Sequence, residues 1–194
     1  MTASVVFPPV LIFVVGALLT ALLRGRLMKL AALLVPVAGF ALLWSAADGS
    51  YGQVSFIGLD LLLTRIDPLS RIFGYVFCLI TLLGLVFSLH HEERSHYAVG
   101  LLYAGAAQGV TFAGDLFSLF LYWEVLTVAA TFLIAARRTV QARGAALRYL
   151  LVHVAGGLCL LTGILLHYVA SGSVAFNAID PAAPGGLFIL LGFG

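Results

Sequence analysis

The stretch Leu116–Arg138, with Asp115 in front of it, constrains this chain more than any other. Its 21 residues from Leu116 to Ala136 carry one charge, Glu124. At a rise of about 1.5 Å per residue, such a run crosses roughly 30 Å of hydrocarbon as a single α-helix. Glu124 is the ninth of the 21, which puts an acid near the middle of the bilayer. Inserting an acid there costs roughly 2.5–3.5 kcal/mol, and its short side chain cannot snorkel to water as a lysine does. A chain that accepts this penalty gives the acid a cavity, a partner or a proton to carry. The plainer alternative is a protonated glutamate hydrogen-bonded between helices as glue.

The rest of the chain has the same character. Apolar residues make up 62% and charged residues 9%, with a mean hydropathy of +1.13, whereas soluble domains run at about 25% charged. The fold class expected is therefore all-α, a polytopic transmembrane helical bundle. Cys78 and Cys159 lie inside apolar runs, without metal-ligand spacing or a disulfide framework. The first apolar run is too long for a signal peptide's core, and Arg24, Gly25 and Arg26 follow it in place of a cleavage site. No glycine-rich phosphate loop and no basic-aromatic stretch for nucleic acid is present.

Taken in order, six spans are expected, with the start of a seventh. The first runs from about Val5 to Leu23, with Pro8 and Pro9 at its beginning, where helices tolerate proline. Arg24, Arg26 and Lys29 form a basic connector, and the second span, about Leu30 to Ala47, contains Pro36. Residues 48–66 turn polar, and Val54–Leu61 is short and β-prone, so a loop with a strand or hairpin is expected. Asp67 and Pro68 read as N-cap and first helical residue of the third span, to Leu89. The hydrophilic stretch 90–96, HHEERSH, reads as a solvated loop, since its histidines lack the i, i+4 pairing of a helical zinc motif. The fourth span, Tyr97 to Ala113, holds the GxxxG pair Gly105 and Gly109, suited to close helix packing. After the fifth span, the sixth runs from about Ala145 to Ala170. An apolar run restarts at Gly185 and reaches Gly194, too short to cross a bilayer, so the chain is expected to end within a seventh helix.

Charge sets the orientation. Six spans put connectors 24–29, 90–96 and 137–144 on one side, where they and their borders hold eight basic residues. The opposite side holds two, Arg65 and Arg71. The positive-inside rule then places the N-terminus outside.

Inside the membrane the polar candidates are Glu124, His153, His167, Arg148, Gln108 and Thr111. His153 lies about two turns into the sixth helix, and imidazole both accepts and donates protons near neutrality, as a relay needs. A histidine hydrogen-bonded to a neighbouring helix is the equal alternative. Arg148, near the cytoplasmic boundary, is either a positive-inside anchor or the partner of an acid at the mouth of a relay. The proton-relay set is thus Glu124, His153 and Arg148. His167 reads as interfacial, and Trp123 is expected to pack beside Glu124.

GDLFSLFLYWEVLTVAATFLIA, followed by ALRYLLVHVAGGLCLLTGILLHYVASG, resembles the antiporter-like membrane subunits. These are shared by Mrp-type sodium/proton antiporters, respiratory complex I and membrane-bound hydrogenases. RIDPLSRIFGYVF resembles the segment that opens the third helix in that family. The resemblance covers nearly everything from Ile66 onward, and Trp123–Glu124 is its most specific part. It implies that Glu124 faces a lysine on a broken seventh helix, a residue with no counterpart here; GGLFILLGFG resembles the run leading up to it. Within the family, the short N-terminal part and VHVAGG on the sixth helix resemble the D subunit of Mrp-type antiporters.

Two segments are expected: residues 1–65, with two spans and an outward-side loop, which match the family only in hydropathy and orientation, and residues 66–194, which resemble the N-terminal part of the proton-conducting core, ending within the seventh helix. It implies a multi-pass subunit in a bacterial inner membrane, assembled with other subunits, exchanging protons for a monovalent cation such as sodium. No cofactor, no covalent chemistry and no nucleic acid is expected. The alternatives are a proton-translocating subunit of a complex I-like oxidoreductase or membrane-bound hydrogenase, or a structural subunit without transport.

Overall fold

The structure, a computed structural model, describes residues 8–56, 58–176, 179 and 181–193. The expected start of the first span at Val5, and parts of the loop after the sixth, lie outside them. The described chain is helical apart from one hairpin. Helices α1 (Pro9–Leu22) and α2 (Gly25–Ser45) are followed by strands β1 (Gly49–Phe56) and β2 (Leu59–Ile66). Then come α3 (Pro68–Phe87), α4 (Arg94–Phe112), α5 (Leu116–Ala135), α6 (Val140–Ser171) and α7 (Gly186–Phe193). Residues 48–66, read as a loop with a strand or hairpin, form an antiparallel pair running from Gly49 opposite Ile66 to Phe56 opposite Leu59. The all-α class therefore has one exception, a two-stranded hairpin between α2 and α3.

Among the described residues four helices are long and apolar enough to cross a membrane: Gly25–Ser45, Pro68–His90 with its terminal 3-10 turn, Leu116–Ala135 and Val140–Ser171. α1 is 14 residues long in the described part, about 21 Å at the helical rise. α4 is less apolar because it opens on Arg94, Ser95 and His96 and is full of glycine and alanine. It is nevertheless the centre of the bundle, packing against α1, α2, α3 and α5. Neighbours, not lipid, cover it. Tyr97, Leu101, Ala104, Gln108 and Phe112 are all buried.

Small residues make this packing possible. The GxxxG glycines serve two partners. A Cβ on Gly105 would come within 2.6 Å of the Phe13 Cβ on α1, and one on Gly109 would overlap the Tyr122 ring on α5. Gln108, fully buried, ties α4 to α3 by donating from Nε2 to the Gly74 carbonyl at 3.1 Å and to Cys78 Sγ at 3.2 Å.

Helix boundaries differ from expectation mainly on the basic side. α2 starts at Gly25 and absorbs most of the 24–29 connector, α4 starts at Arg94, and α6 starts at Val140. Charged first turns extend beyond an apolar span because they need no hydrocarbon. The three basic connectors meet at one end of the bundle. Lys29 bonds the Leu89 carbonyl at 2.7 Å and Glu92 at 2.5 Å, Arg94 reaches the Ala21 carbonyl at 3.3 Å, and Arg138 pairs with Glu93 at 3.2 Å. The rings of His90, His91 and His96 lie tilted against one another at this end, with centroids 4.0 and 5.0 Å apart.

The hairpin marks the other end. Arg71 donates to the Leu43 and Ala46 carbonyls at the end of α2 and to Asp48 at 2.5 Å. Gly114 N donates to the Leu62 carbonyl at 3.0 Å, and Leu116 N to the Val174 carbonyl at 2.9 Å. The start of α5 is thus sewn to both the hairpin and the loop after α6.

Candidate intramembrane acid site

α5 is apolar on every side, so packing against its neighbours, not amphipathicity, sets its rotation. Asp115 caps its start by accepting from Ser118 N at 2.7 Å. Glu124 follows more than two turns later, half-buried in the contact between α5 and α6. Its carboxyl lies against the backbone of Gly157 on α6. Among the described residues it has no hydrogen-bond partner and no ion pair.

His153 precedes Gly157 by four residues, so it occupies the same face of α6 one turn nearer the basic end. It lies within Coulombic reach of Glu124, without a direct hydrogen bond between the two. The Tyr149 ring, four residues earlier again, meets the imidazole edge-on at a centroid distance of 4.0 Å. Tyr149, His153 and Gly157 form one column leading from the basic end toward the acid. Chemistry in the sequence marks His153 of this column, and the four-residue spacing on a predicted helix carries the rest.

α7 closes the third side. Trp123, next to Glu124 in sequence, meets Phe193 edge-on at 5.9 Å. Gly192 sits against Leu160, and Gly163 against Ile189 and Gly185, so α6 and α7 approach nearly backbone to backbone. The far end of α7 therefore lies at the depth of Glu124.

The other candidates stand apart. Arg148 is exposed near the start of α6 and forms no ion pair among the described residues. Gln108 is engaged with α3, and Thr111 donates to the Ala107 carbonyl of its own helix at 2.9 Å. His167 sits near the opposite end of α6, its Nε2 buried without a partner among the described residues. The structure brings Glu124 and His153 together and leaves Arg148 outside.

Such a site can hold a proton in an apolar surround and exchange it with a neighbouring base. Residues 113–193 match the family described as NADH:quinone oxidoreductase/Mrp antiporter, TM. The chain is 35% identical over 104 residues to a Na(+)/H(+) antiporter subunit A1 of Staphylococcus saprophyticus, covering 53% of this chain and 13% of that protein. It is 32% identical over 172 residues to an NADH-quinone oxidoreductase subunit N of Cereibacter sphaeroides, covering 88% of this chain and 37% of that one. The chain spans between 13% and 43% of the length of these and similar curated relatives. Its fold matches a chain of the Mrp complex from a Dietzia species with a TM-score of 0.80 at 25% identity, covering 94% of this chain and 22% of that one. It also matches respiratory complex I from Thermus thermophilus with a TM-score of 0.80 at 22% identity, covering 96% and 43%. The chain is thus a multi-pass membrane protein that is similar, over part of their length, to the antiporter-like membrane subunits of Mrp antiporters and of complex I.

Proposed function

We propose that this chain works as the antiporter-like part of a membrane subunit in a multisubunit cation/proton antiporter, of the Mrp D type, in a bacterial inner membrane. Glu124 carries the proton and His153 relays it from the basic, cytoplasmic end. Arg148 acts as a charged anchor at the mouth of that path. Six spans with the N-terminus outside give this direction. The observation that carries the reading is the Glu124 carboxyl, seated mid-helix against Gly157 of α6, without a hydrogen-bond partner among the described residues and with the His153 imidazole one turn along α6. Glue would have a partner; a proton carrier needs freedom to gain and lose one. The exchanged ion is a monovalent cation, sodium in the first instance, and the other subunits supply the rest of the path.

Glu124→Gln keeps size and removes titration. In the full subunit, assembled in everted vesicles, it should abolish sodium-dependent collapse of a preset pH gradient at unchanged subunit levels. Glu124→Asp should retain part of the activity. Wild-type exchange by the Gln variant at equal expression would reduce Glu124 to a structural role. The second reading, a proton-translocating subunit of a complex I-like oxidoreductase, is favoured by the greater coverage of the quinone oxidoreductase relatives. Quinone-linked proton pumping that depends on Glu124, with no response to sodium, would select it.

A further inference from the structure

We infer that Gly157 is the positioning residue of this site: lacking a side chain, it lets the Glu124 carboxyl lie against the α6 backbone one turn from His153. The functional consequence rests on the relay role proposed for Glu124; the contact itself does not. A Cβ built on Gly157 has Glu124 as its three nearest neighbours. It would overlap Oε1, with Cδ at 3.2 Å and Oε2 at 3.8 Å.

The other glycines of α6 do different work. A Cβ on Gly156 would meet the Gly192 carbonyl at an ordinary 3.5 Å, and one on Gly163 would press on the Ile189 backbone nitrogen at 2.6 Å. Gly163 brings two backbones together, whereas Gly157 makes room for the end of a functional side chain. That end is flexible, so a methyl group at Gly157 displaces the carboxyl and leaves the helices in place. A displacement of about 1 Å in a preorganised site costs up to roughly a hundredfold in rate. Along the column Tyr149, His153, Gly157, the Tyr149 ring meets the imidazole edge-on and Gly157 makes room for the acid.

The test uses the full subunit in its assembled complex, in everted vesicles. Gly157→Ala should lower exchange at least tenfold, on the order expected from such a displacement. Glu124→Asp withdraws the carboxyl by one methylene, so adding Gly157→Ala to Glu124→Asp should cause no further loss; independent defects would multiply instead. If Gly157→Ala alone fails to assemble, the double variant must restore assembly, because the overlap is with Glu124. A second readout is the rate at which dicyclohexylcarbodiimide modifies Glu124, followed by peptide mass. Gly157→Ala should change that rate several-fold. Full exchange by Glu124→Gln would sink the relay, and the labelling rate would still decide the contact. Wild-type exchange and labelling by Gly157→Ala, or a multiplicative loss in the double variant, would overturn the role of Gly157.

Discussion

Asp115 is the joint on which the hairpin end of the bundle turns, and its removal has a calculable effect. The side chain is 3% exposed and its carboxylate accepts from Leu62 N at 2.6 Å, Ser118 N at 2.7 Å and Ser118 Oγ at 2.9 Å. Two of these bonds cap α5, and the third ties the cap to β2. Asp115→Ala loses an N-cap, about 1 kcal/mol, and strands the Leu62 N–H without its acceptor, a further ~1–3 kcal/mol. The sum, about 2–4 kcal/mol, corresponds to roughly 30- to 1,000-fold faster local opening. Hydrogen exchange of the full subunit in nanodiscs should show this acceleration at the amides of Leu62 and Ser118. Amides in the middle of α4 should hold their rates. Asp115→Asn keeps one acceptor oxygen and should show a smaller acceleration. Unchanged exchange at both amides, or an increase spread evenly over every helix, would refute the joint.

Asp67 caps α3 in a reciprocal box, accepting from Ser70 N at 2.8 Å while Ser70 Oγ accepts from Asp67 N at 2.9 Å. Asp67→Ala should cost about 1 kcal/mol, read as a lowered Tm of the purified subunit. The Ser70 backbone N–H is the main cause that holds the Asp67 carboxyl below its ordinary value of 3.8. Its contribution is therefore complete above the ordinary carboxylate range and is lost as pH falls through the lowered value. The gap between wild type and Asp67→Ala should close in acid. For topology, single cysteines at Ser50 and Gln141, in a background lacking Cys78 and Cys159, should react with an impermeant maleimide from opposite sides of the membrane. Reaction of both from one side would overturn the six-span arrangement.

Sequence and structure agree where one physical signal dominates. An apolar run of bilayer length with a lone acid makes α5 legible, and Asp67 followed by Pro68 marks the start of α3 to the residue. Boundaries on the basic side were not legible, because hydropathy reports where hydrocarbon ends and not where helical hydrogen bonding ends. α4 illustrates the difference. Its small and polar residues weaken the hydropathy signal, yet they suit a helix whose neighbours exclude lipid. There the Gln108 amide nitrogen finds its partners in Gly74 and Cys78 of α3, while its Oε1 is buried without one among the described residues. The site was half legible: Glu124 and His153 stand out by chemistry, whereas Gly157 contributes by having no side chain. Nothing in composition distinguishes it from Gly156, and only the rotation of α6 against α5 does.

That rotation follows from the packing of α7. Gly192 against Leu160 and Gly163 against Ile189 bring α7 onto one face of α6. The neighbouring face, carrying His153 and Gly157, is left to α5. Two helices thus press on α6 from different sides, and each contact is made at a glycine. Larger residues at Gly163 or Gly192 would push α7 outward and let α6 turn, separating His153 from Glu124 without touching either. The acid's surroundings are therefore set by close backbone packing on the far side of the helix it faces. In a membrane, where lipid is as apolar as leucine, such packing is a principal force that can hold a charged-group geometry.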